Sequence, residues 1–155
     1  MARCILITGM SGTGKSTVIE ELAARGYRAV DIDSPEWSEY APDGDWIWRE
    51  DRVQALLDSL GEDDILFLSG CAENQGKFYP WFDKVVLLSA PAEVITERLR
   101  TRTNNAYGKR PEELAATLGY LETVEPLLRR GADHEIDTRA PLEAVVAEVL
   151  SLLDD

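Results

Sequence analysis

Residues 9–16 combine three glycines with a lysine and a serine in an order that suits phosphate binding. The order is Gly-x-x-x-x-Gly-Lys-Ser. Glycines let consecutive backbone N–H groups face one centre, the Lys15 side chain adds a positive charge, and the Ser16 hydroxyl is a ligand for Mg²⁺. An apolar run precedes the motif and an amphipathic run follows it, which predicts a strand, a loop and a helix. The sequence therefore predicts a nucleoside triphosphate site. Its predicted nucleotide-binding residues are Gly9, Met10, Ser11, Gly12, Thr13, Gly14, Lys15, Ser16 and Thr17.

Two aspartates, Asp31 and Asp33, lie at the end of the second predicted strand. Side chains alternate along a strand, so both carboxylates should face the same side. The carboxyl ends of parallel strands border the ligand crevice of an open sheet. We expect Asp31, with Ser16, to hold Mg²⁺, and Asp33 to accept the proton of an attacking hydroxyl. The competing interpretation is a solvated strand end or a helix cap.

The third predicted strand ends in Ser69-Gly70-Cys71 rather than in the aspartate that often binds the metal in nucleotide hydrolases. This ending argues against motor-type ATPases and switch GTPases. It also makes the Asp31 and Asp33 pair more necessary for metal binding.

Three arginines, Arg98, Arg100 and Arg102, end the helix that follows the fourth predicted strand. They run into a polar segment, about 101–112, which we interpret as a lid over the site. Phosphoryl transfer needs cations that arrive without water, so we expect Arg102 to act in catalysis and Arg98 to bind nucleotide. The competing interpretation is a helix whose C-terminal cations only complement its dipole.

The segment of about 34–60 is expected to bind the phosphoryl acceptor, with a helix predicted over Trp48–Leu60. Trp48 is suited to stacking on a flat acceptor, while Arg49 and Arg52 are suited to an anionic group. Asn74, after the third strand, is suited to reading hydroxyls. Alternatively, Trp48 pins a helix to the core and Asn74 belongs to a plain surface loop.

The remaining pattern alternates apolar and amphipathic runs, which predicts an α/β fold with a buried parallel sheet. Pro126 should interrupt the helix predicted over 111–128. The five predicted strands are Cys4–Thr8, Tyr27–Ile32, Ile65–Ser69, Lys84–Ser89 and His134–Thr138.

Composition narrows the class of partner. The chain has 155 residues, 45% of them hydrophobic, which suits one domain with its own core over 1–155. A formal net charge of −13 disfavours nucleic acid and anionic membranes as partners. Two distant cysteines and no visible leader segment lead us to expect a cytoplasmic protein. We expect it to be a monomer or a homodimer.

The combined pattern resembles the nucleotide-kinase-like branch of P-loop proteins, which includes shikimate, gluconate and adenylate kinases. The resemblance implies a three-layer P-loop NTPase fold with a five-stranded parallel sheet flanked by helices and a short lid. It also implies ATP and Mg²⁺ as cofactors and an adenine contact near Asp137–Pro141, which brings in Asp137 and Arg139. The Asp31/Asp33 pair and Arg110-Pro111 are similar to shikimate kinase, and Arg110 is accordingly expected to bind acceptor. The stretch from Phe78 to Asp83 is similar to short atypical adenylate kinases.

Three functions follow as hypotheses. The first is transfer of the γ-phosphoryl group of Mg·ATP to a hydroxyl of a small-molecule acceptor, with Lys15, Asp33 and Arg102 as the catalytic residues. The second is a nucleoside monophosphate kinase, whose acceptor is a phosphate that needs no base. The third is a non-enzymatic nucleotide-binding regulatory module.

Overall fold

The computed structural model describes residues 2–103 and 105–154, and within them five parallel strands form one sheet beside a separate two-stranded hairpin. The strands are β1 (Arg3–Thr8), β2 (Arg28–Asp31), β3 (Ser38–Tyr40), β4 (Trp46–Trp48), β5 (Ile65–Ser69), β6 (Lys84–Ser89) and β7 (His134–Asp137). The helices are α1 (Lys15–Ala24), α2 (Glu50–Asp58), α3 (Ala92–Thr101), α4 (Pro111–Thr123), α5 (Glu125–Gly131) and α6 (Leu142–Ser151). Two 3₁₀ segments span Gln75–Trp81 and Leu152–Asp154.

The sheet has the order β2-β5-β1-β6-β7, and each neighbouring pair is parallel. The central strand β1 is hydrogen-bonded on both sides, so it is buried along its length apart from Arg3. The strands therefore end together at one edge, where β1 leads into the phosphate loop and β2 ends at Asp31. This edge is where the predicted ligand crevice should lie.

Helices cover both faces of the sheet, which makes three layers. One face packs against α1 and α6 through Val18, Leu22 and Val146. The other face packs against α2 through Val53 and Leu57. Burial of these aliphatic side chains on both faces explains why the strands read as continuous apolar runs.

The predicted five-stranded parallel sheet flanked by helices is confirmed, with strand limits that differ by at most one residue at either end. The helical run predicted over 111–128 is also interrupted near Pro126, since α4 ends at Thr123 and α5 begins at Glu125. Across residues 2–103 and 105–154, no helix is both long and apolar enough to cross a membrane.

The acceptor segment differs from its prediction. Residues Trp46–Trp48 form β4, paired antiparallel with β3, and the helix starts only at Glu50. Alternating aromatic and β-branched residues favour a strand once a partner strand is available. The connecting turn has Gly44 at φ 92°, a conformation that suits glycine.

Candidate active site

The phosphate loop connects β1 to α1 and turns through glycines in the left-handed region. Gly14 caps α1 at φ 99°, and Gly12 has φ 85°. A Cβ at Gly12 would also lie 3.1 Å from Cγ2 of Ile95 on α3. Both glycines are thus needed for the turn, and Gly12 is needed for close packing against α3 as well.

Lys15 begins α1 and folds back over the loop. Its Nζ donates hydrogen bonds to the backbone carbonyls of Gly9 at 2.7 Å and Met10 at 3.1 Å. The ammonium is thereby held over the N-terminus of α1, where backbone N–H groups favour an anion. This arrangement suits a phosphate group seated on the loop.

A cleft of about 480 Å³ opens above the loop. Its walls come from the phosphate loop, the end of β2, the end of α3 with the segment that follows, and the start of α6. Its lining residues are Ser11, Gly12, Gly14, Lys15, Ser16, Thr17, Val18, Asp31, Asp33, Arg98, Thr101, Arg102, Asn105, Thr138, Ala140, Leu142 and Val145. The cleft thus brings together most of the predicted nucleotide, metal and catalytic side chains.

Asp31 and Ser16 meet at the floor of this cleft. The Ser16 hydroxyl lies 3.2 Å from Oδ2 of Asp31, while Oδ1 of Asp31 accepts the backbone N–H of Asp33. Hydroxyl and carboxylate oxygens are ligands that Mg²⁺ prefers, and Mg²⁺ in phosphoryl-transfer sites takes few protein ligands beside phosphates and water. No cluster of three or more His, Cys, Asp or Glu side chains occurs in the described part of the chain, so a cage built from protein alone is absent there. The donor set therefore fits magnesium bound together with a nucleotide.

Asp33 lies two residues further along, and both of its carboxylate oxygens are engaged. Oδ2 accepts the backbone N–H of Cys71 at 2.9 Å, and Oδ1 accepts the indole N–H of Trp46 at 3.3 Å. Burial raises the pKa of Asp33 above its ordinary value, and the nearby Lys15 ammonium opposes that rise. A carboxyl with a raised pKa that lines the cleft is suited to proton transfer.

Arg98 links two walls of the cleft. Its guanidinium donates to the carbonyl of Gly12 at 3.2 Å, and to both the hydroxyl and the carbonyl of Thr138 at 2.8 and 2.6 Å. The phosphate loop and the segment after β7 are thus fastened to the end of α3.

Arg102 follows α3 and lines the same cleft. It donates to the carbonyls of Asn105 and Tyr107, which folds the segment after α3 around it. Burial lowers the pKa of its guanidinium. The predicted lid, about 101–112, includes position 104, which lies outside the described residues.

The segment after β7 contributes different residues from those predicted. Asp137 and Arg139 form an exposed ion pair with each other at 2.7 Å and do not line the cleft. The intervening and following positions, Thr138 and Ala140, line it instead. The charged side chains of the segment therefore lie outside the cleft, and its adenine contact stays a prediction.

The structure also corrects the predictions for Trp48 and Asn74. Trp48, the last residue of β4, is fully buried in the core, so its ring is not available to stack on a phosphoryl acceptor. The Asn74 amide is used by the backbone N–H and carbonyl of Trp48 and by the carboxylate of Glu50. Both residues fasten the hairpin to the rest of the molecule.

The predicted acceptor-binding arginines do not line the cleft either. Arg49 pairs with Glu39 at 2.7 Å and donates to the carbonyl of Pro35. Arg52 donates to the carbonyl of Glu36, and Arg110 is an exposed residue that precedes α4. Oxygen atoms of nearby residues thus already accept hydrogen bonds from the guanidinium groups of Arg49 and Arg52, which the sequence predicted would bind the phosphoryl acceptor.

Two contributions to the site were not predicted. The backbone N–H of Cys71 and the indole of Trp46 hold the Asp33 carboxylate. The backbone donor gives no signal in the sequence. A strand over Trp46–Trp48 places both tryptophan side chains on the same face, so a strand assignment would have pointed to the Trp46 indole as a candidate side chain of the site.

Comparison with known proteins places the chain among nucleotide-binding proteins. Residues 5–119 match the model of a family described as AAA domain. Shikimate kinase 2 of Serratia proteamaculans is 27% identical over 99% of this chain and 97% of its own length.

Solved structures resemble the fold over nearly the whole chain. Shikimate kinase from Acinetobacter baumannii, in complex with shikimate, aligns with a TM-score of 0.67 at 21% identity over 99% of this chain and 93% of the other. A gluconokinase from Sinorhizobium meliloti aligns with a TM-score of 0.60 at 21% identity over 96% and 90%. The predicted P-loop fold and the resemblance to small P-loop kinases are thus confirmed.

Proposed function

Because the chain belongs to the AAA domain family, we propose that its cleft is the active site of an ATP-dependent phosphotransferase. The acceptor is a hydroxyl of a small molecule, and ATP supplies the phosphoryl group. The full-length relative is named a shikimate kinase, and one structural relative a gluconokinase, which supports this class of reaction.

The observation that carries the proposal is the position of Asp33. Its carboxylate lines the same cleft as the phosphate loop and Lys15, and burial there raises its pKa against the opposing effect of the Lys15 ammonium. A hydroxyl acceptor must lose a proton as its oxygen attacks phosphorus, whereas a phosphate acceptor or simple nucleotide binding needs no such group. We assign Asp33 as the group that accepts this proton.

The cations of the cleft supply the electrostatic part of the reaction. Lys15 and the N-terminus of α1 hold the phosphoryl group that is transferred and the phosphates of the ADP that leaves. Arg102 extends from the other wall, where it stabilises charge on the transferring group and closes the site to water. Arg98 holds the two nucleotide-binding segments together through Gly12 and Thr138.

Ser16 and Asp31 are the residues that would hold magnesium with the nucleotide. Bound there, the ion would neutralise charge on the phosphate oxygens. The adenine would lie between the segment after β7 and α6, against Ala140 and Leu142.

A nucleoside monophosphate kinase remains the second candidate. The observation in its favour is that Lys15, Arg98 and Arg102 line one cleft, as an anionic acceptor would require. Arg49 and Arg52, however, are engaged by Glu39 and the Glu36 carbonyl, which argues against their binding an acceptor phosphate.

The experiment is an ADP-release assay with Mg·ATP against a panel of acceptors. The panel contains shikimate, gluconate, neutral sugars, amino sugars, nucleosides and nucleoside monophosphates, and the Lys15→Ala variant serves as the blank. We expect one hydroxyl compound to raise the rate at least tenfold over the acceptor-free rate, and Lys15→Ala to abolish that rise. A rise confined to nucleoside monophosphates would support the second candidate, and no rise with any compound would contradict both.

A further inference from the structure

Trp46 lies in β4 with its indole partly buried, and its environment fixes the orientation of the ring. In the hairpin register Trp46 pairs with Tyr40. The two rings meet edge to face, with centroids 4.9 Å apart. Such aromatic pairs across a hairpin stabilise one side-chain arrangement over others. The indole N–H therefore has a defined direction.

That direction is toward Asp33, which receives donors from two different elements. The Trp46 indole reaches Oδ1 from the hairpin, and the Cys71 N–H reaches Oδ2 from the segment after β5. These two elements are themselves joined, because the backbone N–H of Glu73 donates to the carbonyl of Trp46 at 2.9 Å. The carboxylate thus closes a ring of hydrogen bonds between the hairpin and the sheet edge.

We propose that Trp46 is a positioning residue that orients the Asp33 carboxylate toward the acceptor hydroxyl. The inference rests on the proposed function, in which Asp33 accepts the proton. An aspartate carboxylate rotates readily about its last torsion, which has broad energy wells. One donor at Oδ2 leaves that rotation partly free, whereas donors at both oxygens fix the plane of the group and the direction of its free lone pairs.

The hairpin then has a different role from the one the sequence suggested. Arg49 and Trp48 are engaged in holding the hairpin to the rest of the molecule, while the Trp46 indole reaches Asp33, which lines the cleft. Orientation of this kind changes the rate of the chemical step, and a displacement of about 1 Å costs up to about a hundredfold. We expect nucleotide binding to be unaffected by loss of the Trp46 indole, because within the described residues Trp46 forms no hydrogen bond to the phosphate loop.

The chain offers a matched control in the same strand. Trp48 has an indole N–H that is buried without a hydrogen-bond partner among the described residues, so Trp48→Phe removes an N–H but no hydrogen bond. Trp46→Phe removes an N–H that is bonded to Asp33. Trp48→Phe should lower the melting temperature more than Trp46→Phe, since Trp48 is fully buried.

The first measurement uses the free protein and needs no acceptor. Uniform ¹⁵N labelling gives one indole N–H signal for each of the four tryptophans, and the signal lost in Trp46→Phe identifies Trp46. Asp33→Asn should displace that signal further than those of Trp37 and Trp81. An unchanged Trp46 signal would show that the contact is absent and would overturn the proposal.

The second measurement is steady-state ADP release with Mg·ATP and the fastest acceptor of the panel. Trp46→Phe should lower kcat by about tenfold or more while the KM for Mg·ATP stays within about twofold. Trp48→Phe should keep kcat within about threefold despite its lower stability. Equal losses of kcat in the two variants, or a loss in Trp46→Phe that appears only in KM, would overturn the proposal.

Asp33→Asn separates this inference from the proposed function. If Asp33→Asn retains the wild-type rate, the assignment of Asp33 fails, and the positioning role fails with it. If Asp33→Asn is inactive while Trp46→Phe turns over like wild type, only the positioning role is overturned.

Discussion

At the scale of the residue, burial and hydrogen bonding act on Asp33 in opposite directions. Burial raises its pKa, whereas Lys15, the Cys71 N–H and the Trp46 indole lower it. The carboxylate is thus kept partly dehydrated and yet held by donors. Both conditions favour a group that must take up a proton in the transition state and release it afterwards.

Asp33→Asn should lower kcat by about a hundredfold or more, because the amide has the same shape as the carboxylate but cannot take up the proton of the attacking hydroxyl. The KM for Mg·ATP should change little, since Asp33 does not hold the nucleotide. The measurement is ADP release with the best acceptor, with Asp51→Asn on the exposed face of α2 as the control. If the Asp33 variant keeps more than about a third of the wild-type rate, Asp33 is not the proton acceptor.

Single residues also show what the sequence could predict. Asp31 and Asp33 were located correctly because strand alternation and sheet topology fix where they lie. Arg49 and Asn74 were misassigned because their partners, Glu39 and the backbone of Trp48, are contacts made by the folded hairpin. Residue type reveals a capacity to bind, but only the fold shows whether a neighbour already uses it.

At the scale of the element, α3 connects the nucleotide-binding segments. Its buried side chains Ile95 and Leu99 pack close to Gly12, and Arg98 joins the phosphate loop to Thr138. Charge-assisted hydrogen bonds of this kind contribute about 1.5–3 kcal/mol when partly buried. The end of α3 is therefore a structural support for the cleft as well as a source of cations.

Arg98→Ala should weaken both the fold and nucleotide binding, because it frees the Gly12 and Thr138 carbonyls at once. We expect a loss of about 2 kcal/mol in the free energy of unfolding, or roughly 4–8 °C in melting temperature. Thermal denaturation measures the first effect, and titration with Mg·ADP the second.

Arg100→Ala is the matched control for Arg98→Ala, since Arg100 lies on the same helix and, among residues 2–103 and 105–154, forms its one ion pair with Glu97 on the exposed face. Its melting temperature should stay within about 1 °C of the wild type. Equal destabilisation by the two variants would show that Arg98 does not have the supporting role.

The elements were largely predictable, with one exception that has a physical cause. Strands of the central sheet carry continuous apolar runs, which mark them in any context. The hairpin strand β4 has only three residues, and its pairing with β3 depends on a turn at Gly44. A helix beginning at Trp48 was a reasonable local interpretation that long-range pairing overrode.

At the scale of the whole molecule, the charge distribution is uneven. The chain carries a formal net charge of −13, yet Lys15, Arg98 and Arg102 gather in one cleft. The net negative charge repels a polyanionic nucleotide, whereas these three cations attract it to the cleft. Binding should therefore depend on these cations and on magnesium.

Mg·ADP should stabilise the folded protein, because only the folded chain presents the cleft. At a concentration of about 100 times Kd, the expected gain is about 2.7 kcal/mol, which corresponds to roughly 5–10 °C in melting temperature. Excess EDTA should remove most of this shift, and Lys15→Ala should show little of it. A shift of the same size in the Lys15→Ala variant would place nucleotide binding elsewhere.

The most direct test of phosphoryl transfer follows the γ-phosphoryl group itself. ATP labelled with ¹⁸O in its γ-phosphoryl group is incubated with the protein, Mg²⁺ and the acceptor panel, and the products are separated by mass spectrometry. The proposed function predicts a labelled phosphate ester on an acceptor hydroxyl, formed by the wild type and missing with Asp33→Asn. Label found only in inorganic phosphate would contradict it and would identify the protein as a nucleotide hydrolase.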